Sequence, residues 1–418
     1  MSAPQPGATT PGPTPSGANG ARLLHHRPFL LFFSARVASR MAVQIATVAL
    51  GWQVYAMTNS AFALGMIGLA QFLPTAILVF LAGAAADRYE RRRLLQICQI
   101  VQGCAAAYLA FGAYGGWLTV HMLYGAVTVF GIASAFEAPA SAALLPATAP
   151  PGQVQRATAM TTGGFQLAVI CGPAIGGFAY ALAPGFPYVL MALLWVVASF
   201  LNAAIHVDRP EGGRPSGRLD ELFAGVRFVR ANRPILGTIS LDLFAVLLGG
   251  ATALMPIFAR DVLHTGPWGL GALRGAPAIG ALAMTVLLAR TSINRRVGMR
   301  MFQAVIVFGI GTVVFALSRS MALSLVALAV MGAADTVSVV IRTSLVQLRT
   351  PDDMRGRVGA VNYLFINASN QLGEFESGVV AALIGAVPAA VVGGFGTIAV
   401  ALLWMAIFPD LRKVERLE

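Results

Sequence analysis

The sequence predicts an all-α membrane protein of about twelve transmembrane helices arranged as two six-helix pseudo-repeats, and three observations predict it. Apolar stretches of roughly 20 residues, the length that crosses a bilayer core, recur along the chain between short polar or Gly- and Pro-bearing turns. With 57% of its 418 residues hydrophobic and 11% charged, the chain lacks the polar surface that a water-soluble protein of this size needs. The basic residues, moreover, fall in alternate inter-helix loops. Transmembrane strands would instead show shorter segments of alternating polarity.

Residues 1–20 are rich in Pro, Gly, Ala, Ser and Thr and lack the basic-then-apolar order of a cleaved leader, so the stretch 1–26 reads as a disordered cytoplasmic tail. Six spans follow near 29–57, 61–86, 94–113, 118–143, 157–181 and 186–206, forming an N-terminal bundle over 27–207. The polar stretch 208–232 is a cytoplasmic linker carrying Arg209, Arg214, Arg218, Arg227 and Arg230, with Arg233 just beyond it. Its later part reads as a short amphipathic helix on the membrane surface. Spans near 234–259, 268–290, 297–318, 320–345, 357–384 and 388–408 form a C-terminal bundle over 233–409, and 410–418 is a second tail.

Orientation follows from charge. With both termini cytoplasmic, the inner loops hold Arg88, Arg91, Arg92 and Arg93, then Arg156, the central cluster, Arg290, Arg295, Arg296 and Arg300, and finally Arg349, Arg355 and Arg357. The outer loops hold little beyond Arg260 and Arg319, so the positive-inside rule places a multi-pass protein in a bacterial inner (plasma) membrane. This placement also explains the net charge of +12 without nucleic acid, because no basic face with interleaved aromatics exists outside those loops. Cys98, Cys104 and Cys171 lie in apolar segments without metal-ligand spacing and read as buried thiols. No metal or cofactor is implied, and the chain reads as a monomer in the lipid bilayer. An enzyme is not indicated: the five histidines lack metal spacing, and the only lysine is Lys413, so no phosphate-binding loop can drive transport by ATP.

The two halves match in sequence. Arg27-Pro28-Phe29-Leu30 opens the first span and Arg233-Pro234-Ile235-Leu236 the seventh, which aligns Ser34 with Ser240 and Arg36 with Asp242. Gln71, Pro74, Arg92 and Arg93 correspond to Arg274, Pro277, Arg295 and Arg296, and Leu145 and Pro151 to Leu345 and Pro351. Like-oriented repeats joined by a cytoplasmic loop are the arrangement of major facilitator transporters.

Three segments carry that resemblance further. Gly83, Asp87, Arg88, Arg91 and Arg92, in the loop after the second span, resemble the superfamily's gating signature, although Glu90 stands where a second glycine is usual. There Gly83 lets helices approach, Asp87 can face the positive end of a helix, and the arginines anchor the loop at the anionic leaflet; a plain positive-inside loop looks the same. Gly172-Pro173-Ala174-Ile175-Gly176-Gly177, preceded by Gly163-Gly164, resembles the glycine-proline signature of the exporters, read either as a packing motif or as a helix bend that differs between two states. Pro351-Asp352-Asp353-Met354-Arg355-Gly356-Arg357-Val358, with Pro139 and Leu145-Pro146, is similar to the branch that includes the enterobactin exporter. The resemblance covers about residues 27 to 408 and implies ion-driven export of small amphipathic molecules.

Charges inside the spans are the candidate functional residues, since each costs about 2.5 to 3.5 kcal/mol on insertion scales. Arg36, Arg40, Gln44 and Thr47 share one face of the first span; Ser134, Glu137 and Ser141 share one of the fourth. Thr238 and Asp242 mark the seventh, Asp335, Ser338 and Arg342 the tenth, and Asn367, Asn370, Gln371 and Glu374 the eleventh, where Glu376 points elsewhere. The resemblance implies that spans one, four, seven and ten line a central cavity. A buried carboxylate among Glu137, Asp242, Asp335, Glu374 and Glu376 can exchange protons as the coupling ion, or the acids can form fixed pairs with Arg36, Arg40, Arg274 and Arg342. Cavity arginines favour an anionic group on a small-molecule substrate, and Trp52, Phe136 and Phe165 can add apolar contact. The expected function is secondary transport, with proton-coupled export of a small amphipathic or anionic molecule by alternating access as the first reading. Ion-coupled uptake of an organic anion, or a membrane receptor or assembly partner that moves nothing, are the alternatives.

Overall fold

A computed structural model of the chain describes residues 23–206, 219–291, 296–351 and 354–415, without the side chains of Val79, Phe80, Asp87 and residues 219–223. The first half comprises α1 (Arg27–Thr58), α2 (Ala61–Arg88), α3 (Arg91–Gly115), α4 (Val120–Thr148), α5 (Val154–Leu182) and α6 (Phe186–Ala203). After the surface helix α7 (Leu219–Ala231), the second half comprises α8 (Arg233–Leu248), α9 (Pro267–Arg290), α10 (Val297–Leu317), α11 (Met321–Arg349), α12 (Arg355–Ile384) and α13 (Ala386–Ile407). A short α14 (Pro409–Arg412) closes the chain. Among the described residues, eleven helical stretches, with Arg233–Val262 counted as one, are long and apolar enough to cross a membrane. The other long helix, α12, has 30 residues but carries Asn362, Asn367, Asn370, Gln371, Glu374 and Glu376.

Local chemistry marks the helix ends. The side chains of Ser60, Thr119 and Asn232 accept from the backbone N–H three residues on, capping α2, α4 and α8. Asn59 at φ 49° and Gly116 at φ 74° end α1 and α3 in the left-handed conformation. Glu90 sits at φ −64°, where a side chain costs nothing, and its carboxylate pairs with Arg92 at 3.0 Å and Arg93 at 2.6 Å, so the turn does not need the missing glycine.

The sequence repeat returns as a repeated packing motif. In the first half Pro74 of α2 lies against Gly131 of α4, where an added Cβ would come within 2.6 Å of the Gln71 carbonyl oxygen. In the second half Pro277 of α9 lies against Gly332 of α11, where an added Cβ would meet the Pro277 carbonyl at 1.9 Å. With lipid outside, close backbone approach and dispersion hold such helices together. Polar seams add to this. Asn202 of α6 donates to the Gln99 side chain of α3 at 2.8 Å, and Arg92 donates to the Ile205 carbonyl beyond the end of α6 at 2.7 Å. Aromatic pairs within one hydrophobic core that runs through both halves include Phe130 with Trp195 at 4.9 Å and Phe258 with Phe315 at 4.7 Å.

Four expectations need correction or completion. The seventh span is not one helix: it breaks after Leu248, because Gly250 runs against α12, where an added Cβ would come within 2.5 Å of the Gly373 carbonyl and Ser377 hydroxyl. The chain then continues as a 3-10 turn (Ala251–Leu254), a short helical turn (Met255–Ile257) and a π-turn (Phe258–Val262). Cys98 is buried, but Cys104 and Cys171 are exposed on outward faces, which a small apolar side chain tolerates in lipid. The segment after 409 is packed rather than free at its start: Leu411 is buried, and Gly298 donates to the Val414 carbonyl at 3.0 Å. Most of the N-terminal tail (1–22), the linker up to 218, Arg295, Asp352 and Asp353 lie outside the described residues.

Candidate functional site

The halves meet through two crossed pairs, α5 with α9 and α2 with α12. An added Cβ on Gly177 would lie 2.6 Å from the Pro267 carbonyl, one on Gly271 2.5 Å from the Pro173 carbonyl, and Gln166 reaches across to donate to the Ala278 carbonyl at 3.3 Å. On the other side, Gly65 and Gly68 pack against Phe375, Gly378, Gln371 and Glu374. These contacts gather at the end of the molecule opposite the chain termini. A polar latch closes that end: Arg260 donates to the Asn59 side chain at 2.8 Å and lies over the Tyr55 ring, whose hydroxyl donates to Asp261. Nearer the other end, an added Cβ on Gly83 or Gly163 would meet open space.

The space between the halves is thus closed at one end. Its closed portion is a cavity of about 90 Å³ lined by Val43, Thr47, Leu50, Leu64, Gln71, Phe130, Ser134, Trp195, Arg274 and Glu374, among others. A second cavity of about 200 Å³ lies against the second half, lined by Thr238, Asp242, Val246, Asp335, Val339, Arg342, Thr343, Val346, Asn362, Ile366 and Asn370. Regular spacing puts the polar residues here: Asp335, Val339, Arg342 and Val346 repeat every three to four residues on α11, as Asn362, Ile366 and Asn370 do on α12.

Each half brings its charges into contact. Arg36 of α1 lies 3.6 Å from Glu137 of α4, whose carboxylate also accepts from Ser39 at 2.8 Å and is only 4% exposed. Arg40, one turn further along α1, stacks on Phe165 with its guanidinium 5.6 Å from the ring centroid, and its buried Nε has no hydrogen-bond partner among the described residues. Both arginines stand seven residues before cavity-lining positions of α1, Val43 and Thr47, and so share their face. In the second half Arg342 of α11 pairs with Asp242 of α8 and lies 3.7 Å from Asp335, whose side chain is half exposed. Glu374 of α12 faces Arg274 of α9 at the closed end, where Arg274 also reaches the Thr252 carbonyl at 3.5 Å.

Other candidates are used differently. Gln44 turns from the cavity to α5, filling the space over Gly172, where an added Cβ would be 2.4 Å from its own. Gly176 packs on α1 at Ile45 and Gly177 on α9, so the glycine-proline segment works as a packing crossing that serves both halves at once. Gly83 makes no close approach: an added Cβ there would have nothing within 4 Å. Arg88 is exposed, Arg91 donates to the Ala143 carbonyl at 3.1 Å, and the Asp87 side chain lies outside the described residues. Gln371 carries a buried Oε1 without a partner, while Asn370 is exposed and donates back to the Ile366 carbonyl at 2.9 Å. Glu376 accepts from Ser377 at 3.4 Å and lines neither cavity. Trp52 packs edge-on against Tyr180, and Phe136 is half-buried. The latch residues Tyr55 and Asp261 were not read from the sequence, because each is a single polar residue at a span end.

Two six-helix halves, latched to each other at one end and holding polar cavities among their helices, have the architecture of a transporter of the major facilitator fold. The chain belongs to the family described as transmembrane secretion effector, whose sequence profile matches residues 21–418. It is similar to the multidrug efflux pump Tap of Mycobacterium tuberculosis, with 30% identity over 372 residues that cover 84% of this chain and 86% of that protein. It is also similar to the enterobactin exporter EntS of Escherichia coli, with 24% identity over 403 residues, covering 95% and 96%. Among solved structures, the nucleoside transporter NupG superposes with a TM-score of 0.68 at 14% identity, covering 91% of this chain and 99% of that one. A bacterial homologue of the iron transporter ferroportin, in an inward-facing state, gives 0.70 at 16%, covering 93% and 99%. These likenesses place the chain among transporters rather than enzymes.

Proposed function

We propose that the protein exports a small amphipathic or anionic molecule from the bacterial cytoplasm in exchange for protons, by alternating access. The halves 27–207 and 233–409 rock about the cavity, with 208–232 as the tether and both termini cytoplasmic. The basic loops at the end that carries the chain termini support that orientation. Export agrees with the efflux pump and exporter to which the chain is similar. The observation that carries the reading is the cavity lined by Asp242, Asp335 and Arg342 within the apolar spans of the second half, with the Arg36–Glu137 pair inside the first half.

Among the acids, Glu374 has the surroundings a coupling carboxylate needs. It lies where α12 packs on Gly68 of α2, a contact that must separate for the closed end to open, so its environment differs between the two states. A proton taken from outside in the open state would weaken its attraction to Arg274 and be released inward after the halves reverse. The test uses proteoliposomes loaded with fluorescent amphiphiles of anionic, cationic and zwitterionic type. Efflux should collapse when the proton gradient is dissipated, and Glu374→Gln should abolish gradient dependence while leaving exchange. Efflux of the wild-type protein that ignores the gradient removes proton coupling; no movement of any probe removes transport.

A further inference from the structure

Three helices of the second half enclose a cavity whose charges do not balance. Among the described residues, the charged groups lining the space of about 200 Å³ between α8, α11 and α12 are Asp242, Asp335 and Arg342. Arg342 pairs with Asp242 and lies 3.7 Å from Asp335, beyond hydrogen-bond range. Two carboxylates thus share one guanidinium. Asp335 is half exposed and, among the described residues, accepts no hydrogen bond. Within apolar spans an unmatched charge of this kind is costly unless a counter-charge meets it.

The polar groups on the same walls are biased toward accepting hydrogen bonds. The Thr238 hydroxyl donates to the Pro234 carbonyl at 2.7 Å and the Asn370 amide to the Ile366 carbonyl at 2.9 Å, so each turns a hydrogen to its own helix and keeps lone pairs on its oxygen. Asn362 and Thr343 can present an oxygen as readily as a hydrogen. The same acids also line a smaller void of about 20 Å³ with Arg342 and Ser338, and the Ser338 hydroxyl, on a residue only 2% exposed, has no hydrogen-bond partner among the described residues. An unpaired buried hydroxyl beside an unmatched carboxylate points to a hydrogen-bonding guest. Size and lining say what kind. A cavity of about 150 Å³ holds benzene, so the larger space here takes an organic group rather than a bare metal ion, and Val246, Val339, Val346 and Ile366 suit its carbons.

Resting on the transport reading of this protein, we propose that the cavity between α8, α11 and α12 is an amine-binding subsite for the substrate: a protonated aliphatic amine enters it, its N–H groups donate to Asp335 and to the Asn370 side-chain oxygen, and its alkyl arm lies along Val246, Val339 and Ile366. Arg342 stays with Asp242, so the guest supplies the one positive charge that the three side chains lack. The substrate is then an amphipathic molecule with a cationic arm. An anionic group would meet two carboxylates and a guanidinium already engaged, and like charge in such a space excludes it.

The experiment measures equilibrium binding of three probes to the purified full chain in a neutral detergent at neutral pH, with binding to empty micelles subtracted: dansyl-cadaverine, a cation; its N-acetyl derivative, which is neutral; and dansyl-aminocaproic acid, an anion of matching length. The cation should bind about tenfold more tightly than either of the others. Asp335→Asn should lower it to the affinity of the neutral probe, whose own binding should not change. In the wild-type protein an apolar carbodiimide should join the amine of the cation to the Asp335 carboxylate as an amide, with release of the urea, and mass spectrometry of the peptides should find the adduct there. Equal binding of the three probes, tighter binding of the anion, absence of binding, or a cation preference that survives Asp335→Asn overturns the proposal, as does cross-linking confined to acids outside this cavity. The wild-type ranking and the cross-link decide even if the variant fails to fold. Neither needs a gradient or net movement, so their failure is distinct from failure of efflux in vesicles.

Discussion

Arg342 holds two carboxylates at once, pairing with Asp242 and standing 3.7 Å from Asp335. Removing a charge here is not symmetric. Asp335→Asn leaves a one-to-one pair, whereas Arg342→Gln leaves two carboxylates facing each other with no cation, and breaking a buried pair in this way costs about 3 to 5 kcal/mol. Arg342→Gln should therefore lower the unfolding temperature of the detergent-solubilised protein by several times more than Asp335→Asn, as read by a thermal melt. Equal shifts would mean that Arg342 does not hold the two acids. The same reasoning makes Glu137 more sensitive than its small size suggests. It is buried with Ser39 and Arg36 as its partners, so Arg36→Met should destabilise the first half more than Arg40→Met, whose guanidinium has no carboxylate partner. A thermal melt that ranks them the other way would refute this.

At the level of elements, the crossing of α5 and α9 is made by glycines. A methyl group on Gly271 would stand 2.5 Å from the Pro173 carbonyl, a backbone atom that cannot swing aside, and one on Gly280 would stand 1.8 Å from the Ala329 carbonyl within the second half. The two sites predict different failures. Gly271→Ala should leave each half folded but oppose closure of the end opposite the termini, so that transport falls at least tenfold at nearly unchanged melting temperature. Gly280→Ala should instead lower the melting temperature, because its clash lies inside one bundle. Gly163→Ala, with nothing within 4 Å, should be silent in both measurements. Loss of transport in Gly163→Ala would show that the end carrying the termini closes over that glycine during the cycle.

Across the whole molecule, closure of one end rests on the glycine crossings and on the latch joining Tyr55 and Asn59 to Arg260 and Asp261. These residues come from opposite halves, so their hydrogen bonds favour only the state in which that end is shut. The double variant Tyr55→Phe with Asp261→Asn should shift the population toward opening. Spin labels placed at His121 and Arg319, one on the latch-side end of each half, should then report a longer distance distribution than in the otherwise unaltered protein. An unchanged distribution would leave the glycine crossings as the sole closing element.

Hydropathy and loop charge are properties of consecutive residues, and they sufficed for the helical class, while the match of Arg27-Pro28 with Arg233-Pro234 returns in the structure as Pro74 and Pro277 at glycine contacts. They also sufficed to place charges on common helix faces, because 3.6-residue periodicity is local. What the tertiary structure alone decided is which faces meet. Rotation of α1 gave Gln44 to Gly172, Arg36 to Glu137 and Arg40 to Phe165, the glycines of α5 became a seat for both halves, and the seventh span broke where Gly250 met α12. Pairings such as Ser39 with Glu137 and Tyr55 with Asp261 join residues about 100 and 200 positions apart, and no periodicity within a helix carries the rotation and approach of a distant one.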